Sequence, residues 1–190
     1  MLTDRPPRKV ALRAGFFKSD ELRALPIPPD DRLRTSAQPL DFALRNGTST
    51  TVRQACTDFL TIASDFYSVQ SPGIRVLAAR PIRVREGGWA SELFGDYSPQ
   101  TFRIRVWMRT AVRKQVTSFG TFLSTLCHEF CHHLDYKRFG FIDSWHTRGF
   151  YERTAMLYHC ARGTPAKRLF WTQLPGGRWR IDWPRTNRGA

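Results

Sequence analysis

Residues 127–146 read CHEFCHHLDYKRFGFIDSWH and hold four of the five histidines in a chain of 190 residues. Within them His128, Glu129 and His132 form an HExxH pattern. On an α-helix, positions four apart lie about 40° apart around the axis and one turn along it. His128 and His132 therefore point the same way and can share one metal ion. Glu129 sits beside His128 and can reach a water on that ion. Zinc suits imidazole ligands, and a catalytic zinc keeps three protein ligands and one position for water. It lowers the pKa of that water from about 15.7 to about 7. Glu129 can then take the proton and pass it to a leaving amine. The chemistry implied is hydrolysis of a peptide bond.

A third ligand must come from elsewhere. Positions 135 and 138 are Asp and Arg, where a metzincin would carry Gly and His. Two candidates remain. Glu152 is the one glutamate that a later helix could supply, as in thermolysin-like enzymes. His146 stands at the start of that helix and reaches the metal if the chain reverses near Gly140. Around these residues, Asp135 or Glu152 could accept the second N–H of a ligand imidazole. His133 is expected to support a ligand from behind or to be structural, rather than to be a ligand itself. His159 and Cys160 read as packing or surface groups, and Cys127 and Cys131 as two buried thiols. Tyr136, Tyr151, Arg148 and Arg153 are the candidate donors to a developing oxyanion.

The elements that must hold these groups follow from the flanking pattern. Thr117 or Ser118 can cap a helix running from about Phe119 to Arg138. Lys137 and Arg138 suit its last turn, and Gly140 a left-handed stop. Its apolar stripe, Phe119, Phe122, Leu126, Phe130 and Leu134, lies on the side away from the histidine pair. A second helix is expected to begin after Asp143 or Ser144 and to end near Arg162, with Phe150 packed between the two. Upstream, Thr101–Arg109 alternates: Phe102, Ile104, Val106 and Met108 on one face, Arg103, Arg105, Trp107 and Arg109 on the other. That is a half-buried strand, either an inner strand or an edge beside the cleft where an extended peptide could pair. Val52, Cys56, Phe59, Leu60, Ala63, Phe66 and Tyr67 predict an amphipathic helix over about 50–67. Residues 74–84 read as one or two strands broken at Pro81, and 86–100 as a loop or hairpin. Six prolines in residues 1–40 predict a loose basic arm with at most a short docked piece. Residues 168–183 read as two short strands around a Pro-Gly-Gly turn.

The stretch HEFCHHLDYKRFGFIDSWHTRGFYERTAML resembles the SprT-like metallopeptidases, the group that includes Spartan. Their signature is HExxH followed, after a variable loop, by a histidine that starts a helix with an aromatic residue four further on. Here these are His128, Glu129, His132, His146 and Phe150. The likeness covers roughly residues 115–160. It implies an α+β, zincin-like domain over 41–165, with a small, mostly antiparallel sheet packed on the HExxH helix. A second helix would carry the third ligand. It further implies one Zn2+ held by His128, His132 and His146, Glu129 as general base, and protein or peptide substrates, in some members proteins bound or crosslinked to DNA. Two features depart from the pattern. Thr147 stands where glycine usually follows the third histidine, and the tail has no CxxC for a zinc ribbon, so ribbon-based DNA binding does not carry over.

The net charge is +14, distributed as +3 over residues 1–40, zero over 41–100 and +11 over 101–190. A basic half suggests a polyanionic partner, DNA first among them, or else a solvated arginine-rich surface. In the 166–190 tail, Trp171, Trp179 and Trp183 interleave with Arg178, Arg180 and Arg185. Such a pattern can track single-stranded nucleic acid, but a hairpin whose tryptophans cover the body is the reading favoured. The chain contains no apolar stretch of about 18 residues, so no membrane span is expected. The start, MLTDRPPRKV, lacks a signal-peptide core. A cytoplasmic setting is expected, with Cys56, Cys127, Cys131 and Cys160 as thiols. Two rivals stand beside the SprT-like reading: a regulatory peptidase of the ImmA/IrrE group, and a nucleic-acid-binding protein with a structural zinc whose fourth ligand is His133, His159 or a cysteine.

Overall fold

A computed structural model describes residues 1–84 and 90–189. Three helices come first: α1 (Val10–Glu21), α2 (Arg32–Asn46) and α3 (Ser49–Tyr67). Five strands follow: β1 (Gly73–Ala79), β2 (Ile82–Val84), β3 (Ala90–Glu92), β4 (Gly95–Ser98) and β5 (Arg103–Arg109). Then come α4 (Phe119–Lys137), α5 (Arg148–Arg162), the hairpin β6 (Trp171–Leu174) and β7 (Arg178–Ile181), and α6 (Trp183–Arg188). The class is α+β. Residues 86–89 of the expected 86–100 loop or hairpin lie outside the described residues. Among the described residues no helix is long and apolar enough to cross a membrane.

The main sheet has the order β1-β5-β4. Its inner face, with Val76, Ile104, Val106 and Met108, packs against α3 and α4, and α5 and α2 close the core behind them. Arg103, Arg105 and Arg109 stay on the outer face in solvent, as the alternation predicts, and Arg75 of β1 lies beside them. Trp107 is an exception, because pairing with Leu77 of β1 and the overlying Arg105 guanidinium leave it only 7% exposed. Phe102 is not part of the strand; it turns at φ 48°.

The sheet is mixed rather than mostly antiparallel, since β1 runs parallel to β5 and β4 antiparallel to it. The excursion over residues 80–102 is long enough to return the chain to the end of the sheet it left, which a parallel pair requires. It also makes β5 an inner strand and places β4 at the edge.

Residues 1–40 do not form a loose arm. Leu33, Ala37, Leu40 and Leu44 recur at helical spacing in α2 and are at most 2% exposed. Their packing against α3 outweighs the cost of Pro39, which removes one amide donor from the helix interior. The end of α1 abuts the first turn of α5. A Cβ on Gly149 would lie 2.1 Å from Ser19 O and 2.7 Å from Leu22 O, both backbone atoms that cannot rotate away. Gly149→Ala is therefore expected to destabilise the fold by about 1–3 kcal/mol, read from the midpoint of a urea unfolding curve. An unchanged midpoint would show that α1 does not hold this position in solution.

Candidate metal centre and cleft

Helix α4 delivers three of the four residues of interest. Its start is fixed by Ser118, whose Oγ accepts the Thr121 N–H at 3.3 Å. Phe122, Leu126, Phe130 and Leu134 are buried against the core, while His128 and His132 stay partly open on the other side. His146 comes from the loop before α5. That helix begins three or four residues later than the sequence suggests, at Arg148, because the Oγ1 of Thr147 accepts the Phe150 N–H at 3.1 Å and caps it. His146 thus precedes the cap instead of lying in the first turn.

The Nε2 atom of His146 lies 3.1 Å from that of His128 and 3.2 Å from that of His132. Bonds of about 2.0–2.1 Å from one tetrahedral ion place ligand nitrogens about 3.3 Å apart, so the three imidazoles fit a shared cation. They can hold a metal ion. Burial, with His146 adding to it, lowers the His128 pKa to about 3. Burial and the other two imidazoles hold His132 well below its usual value. Both rings therefore offer lone pairs at neutral pH, as metal binding requires. Phe150 is fully buried beneath the cluster, its ring stacked on His132 at 4.4 Å and edge-on to His128 at 4.9 Å.

The imidazoles are held from behind. Asp135 does orient a candidate ligand, but through Ser144: the Ser144 hydroxyl donates to Asp135 Oδ2 at 2.7 Å and accepts His132 Nδ1–H at 2.6 Å. His146 Nδ1 lies 3.3 Å from Asp4 Oδ2. Glu152 is neither a ligand nor an orienting group, because its Oε1 accepts from Arg23 at 3.1 Å and from Trp171 Nε1 at 2.9 Å, away from the histidines. His133 takes the structural of the two parts expected for it and supports none of the three imidazoles. Its Nε2 faces the Gln70 carbonyl at 2.7 Å and must donate there, so Nδ1 accepts from the Tyr97 hydroxyl at 2.9 Å. His159 is bound to Thr164 at the far end of α5, and Cys127 and Cys131 are buried thiols.

Glu129 is only 6% exposed. Burial, with Asp96 adding to it, pushes its carboxyl up to about 8. Gly95 makes this burial possible. A Cβ there would lie 2.6 Å from Thr125 Cγ2 and 2.9 Å from Glu129 Oε1, so only glycine lets β4 press against that face of α4.

A cleft of about 930 Å³ opens over this cluster. One wall is Phe94 and the edge strand after it, with Gly95, Asp96 and Tyr97, and the floor includes His128, Glu129, His132 and His146. Of the expected oxyanion donors, Arg148 is committed to Asp20 and Arg153 to Asp135, both away from the cleft. Tyr151 lines the cleft but donates to Leu2 O at 3.2 Å, while Tyr136 lines it as well. In the tail, Trp171 and Trp179 are turned onto the body, under Glu152 and Arg148, while Trp183 is 41% exposed.

Sequence reasoning did not find Asp4 or the role of Ser144. No local pattern marks Asp4, whose partner is 142 positions away. Ser144, nine positions after Asp135, could have been tested as a bridge between that carboxylate and His132. Set against protein-family models, curated proteins and solved structures, the chain finds no match in any of the three.

Proposed function

We propose that this chain is a zinc-dependent metalloendopeptidase of SprT-like type with a zincin-like domain. The observation that carries the reading is the convergence of the His128, His132 and His146 Nε2 atoms in one open cleft that also contains Glu129. Of the candidates for a fourth ligand, His133 has both ring nitrogens engaged elsewhere and His159 is bound to Thr164 at the far end of α5, which favours a catalytic site over a structural one.

His128, His132 and His146 would hold the ion. When bound, zinc supplies Lewis acidity that acidifies water and polarises a peptide carbonyl. Glu129 accepts the proton of the attacking water on a carboxylate oxygen and delivers it to the departing amide nitrogen. Phe150 and Ser144 keep the imidazoles in place. Among the described residues the outer edge of β4 has no strand partner and offers backbone groups to an extended peptide, so the pairing edge is β4 and not Thr101–Arg109. Pairing through backbone demands little of substrate side chains and suits cleavage of unfolded or locally opened protein.

DNA-associated proteins are the substrate class favoured by the exposed row of Arg75, Arg103, Arg105 and Arg109 on the outer sheet face. Reconstituted with zinc, the chain is expected to cleave an unfolded DNA-binding protein. Cleavage should stop on chelation, resume on adding zinc, and rise with DNA at low salt more than at high salt. A substrate left intact under all these conditions overturns the peptidase reading. Cleavage indifferent to DNA removes only the DNA-associated class.

A further inference from the structure

His128 and His132 are held by a rigid helix. His146 is not, since it lies in the loop before the α5 cap, and something else must fix its ring. The segment Met1–Asp4 does so from the opposite end of the chain. It lies antiparallel against β7, bridging Leu2 to Arg180. Thr3 N–H donates to Trp179 O at 2.8 Å and Ile181 N–H to Met1 O at 3.2 Å. Side chains lock the register: Trp179 N–H donates to Thr3 Oγ1 at 2.8 Å, Arg178 Nε to Thr3 O at 2.9 Å, and Thr3 is 1% exposed.

The segment then meets His146 in a reciprocal clamp. Asp4 N–H donates to His146 O at 2.9 Å, and His146 N–H donates to Asp4 Oδ2 at 2.9 Å. The same carboxylate oxygen faces His146 Nδ1 at 3.3 Å. A carboxylate can only accept, so it selects the tautomer with the proton on Nδ1. That leaves the Nε2 lone pair aimed at His128 and His132. Among the three imidazoles, His146 alone has a carboxylate placed directly behind it; His132 reaches Asp135 through Ser144.

We propose that Asp4 is the positioning residue for His146, and that the β7-docked segment Met1–Asp4 is part of the metal site. This rests on the three-histidine metal reading. It gives residues 1–4 and the hairpin β6–β7 a role in metal affinity, with Arg178 and Thr3 holding the segment that carries Asp4.

The test has two readouts, neither of them activity. The first is zinc affinity by competition with a chromophoric chelator. Asp4→Asn keeps an oxygen to accept the His146 backbone amide but removes the charge behind the ring. It is expected to bind zinc 10- to 100-fold more weakly, with Asp4→Glu recovering part of the loss and the melting temperatures of the metal-free proteins staying close. The second is the imidazole nitrogen shifts of His146 in the metal-free wild type, which are expected to show the proton on Nδ1. Affinity unchanged in Asp4→Asn, or a proton on Nε2 in the wild type, overturns the role of Asp4 while leaving the three-histidine site standing. A wild-type chain that binds no zinc overturns both.

Discussion

Glu129→Gln retains zinc and loses peptide hydrolysis by about 100- to 10,000-fold, the usual contribution of a positioned general base. Glutamine fills the same volume, and the position is 6% exposed against Gly95 and Thr125, so the shape of the cleft is kept. Zinc affinity should be close to wild type, because the three converging nitrogens belong to His128, His132 and His146. Zinc content by metal analysis and cleavage of an unfolded substrate give the two readings. Were the zinc purely structural, the substitution would cost nothing in either. The same variant isolates a pH effect in the metal-free protein. Burial first, and Asp96 second, raise the Glu129 carboxyl from 4.5 to about 8. A carboxyl with a raised folded-state pKa binds a proton that the unfolded chain has released, so its contribution to stability falls as pH rises from about 4.5 to about 8. Glu129→Gln has no such loss. Its metal-free stability relative to wild type should increase across that window, and a constant difference would mean that the carboxylate finds a partner in solution.

Local pattern carried the chemistry but not its supports. The i, i+4 spacing of His128 and His132, and the capped, striped sequence around them, made α4 legible almost to the residue, because both are properties of one helix. α3 was legible for the same reason. His146 was reachable as a candidate, but its position outside α5 depends on Thr147 capping that helix, and Asp143 and Ser144 looked equally able to do so. Six prolines in residues 1–40 obscure the helical spacing of Leu33, Ala37 and Leu40, which Leu44 continues. Tertiary packing on α3 holds α2 together through Pro39. The inner place of β5 and the edge place of β4 are decided by strand pairing. Four short residues from Gly95 to Ser98 carry little alternation from which to read it. Asp4 and His146 meet because the tail hairpin holds the first residues along β7 through the Leu2–Arg180 bridge, and sequence distance hides such a contact completely.

The group that ties these supports together is Arg153, and its replacement is the most damaging change expected away from the cleft. Arg153 is 1% exposed and Asp135 0%. Its Nη2 donates to Asp135 Oδ1 at 2.8 Å and to Ser19 Oγ at 3.3 Å, and its Nη1 to Ser19 O at 3.1 Å and to Leu22 O. One guanidinium thus satisfies the carbonyl end of α1 and the buried carboxylate of α4 from a position on α5. Burial pushes the Asp135 carboxyl upward, and Arg153 and Ser144 pull it back. Arg153→Met keeps most of the volume but strands that carboxylate, which costs about 3–5 kcal/mol. With the guanidinium gone, the Asp135 pKa rises further, so the deficit is present at neutral pH and shrinks as acid protonates the group. Denaturant unfolding at pH 7 and pH 5 should show the larger loss at pH 7. The double variant Arg153→Met, Asp135→Leu removes both charges and should recover much of the stability. It should not recover zinc affinity, because the hydroxyl of Ser144 then has no carboxylate to donate to and no longer fixes His132. A double variant that regains both stability and wild-type zinc binding would show that the Asp135–Ser144 link is packing alone, with no part in presenting His132 to the ion.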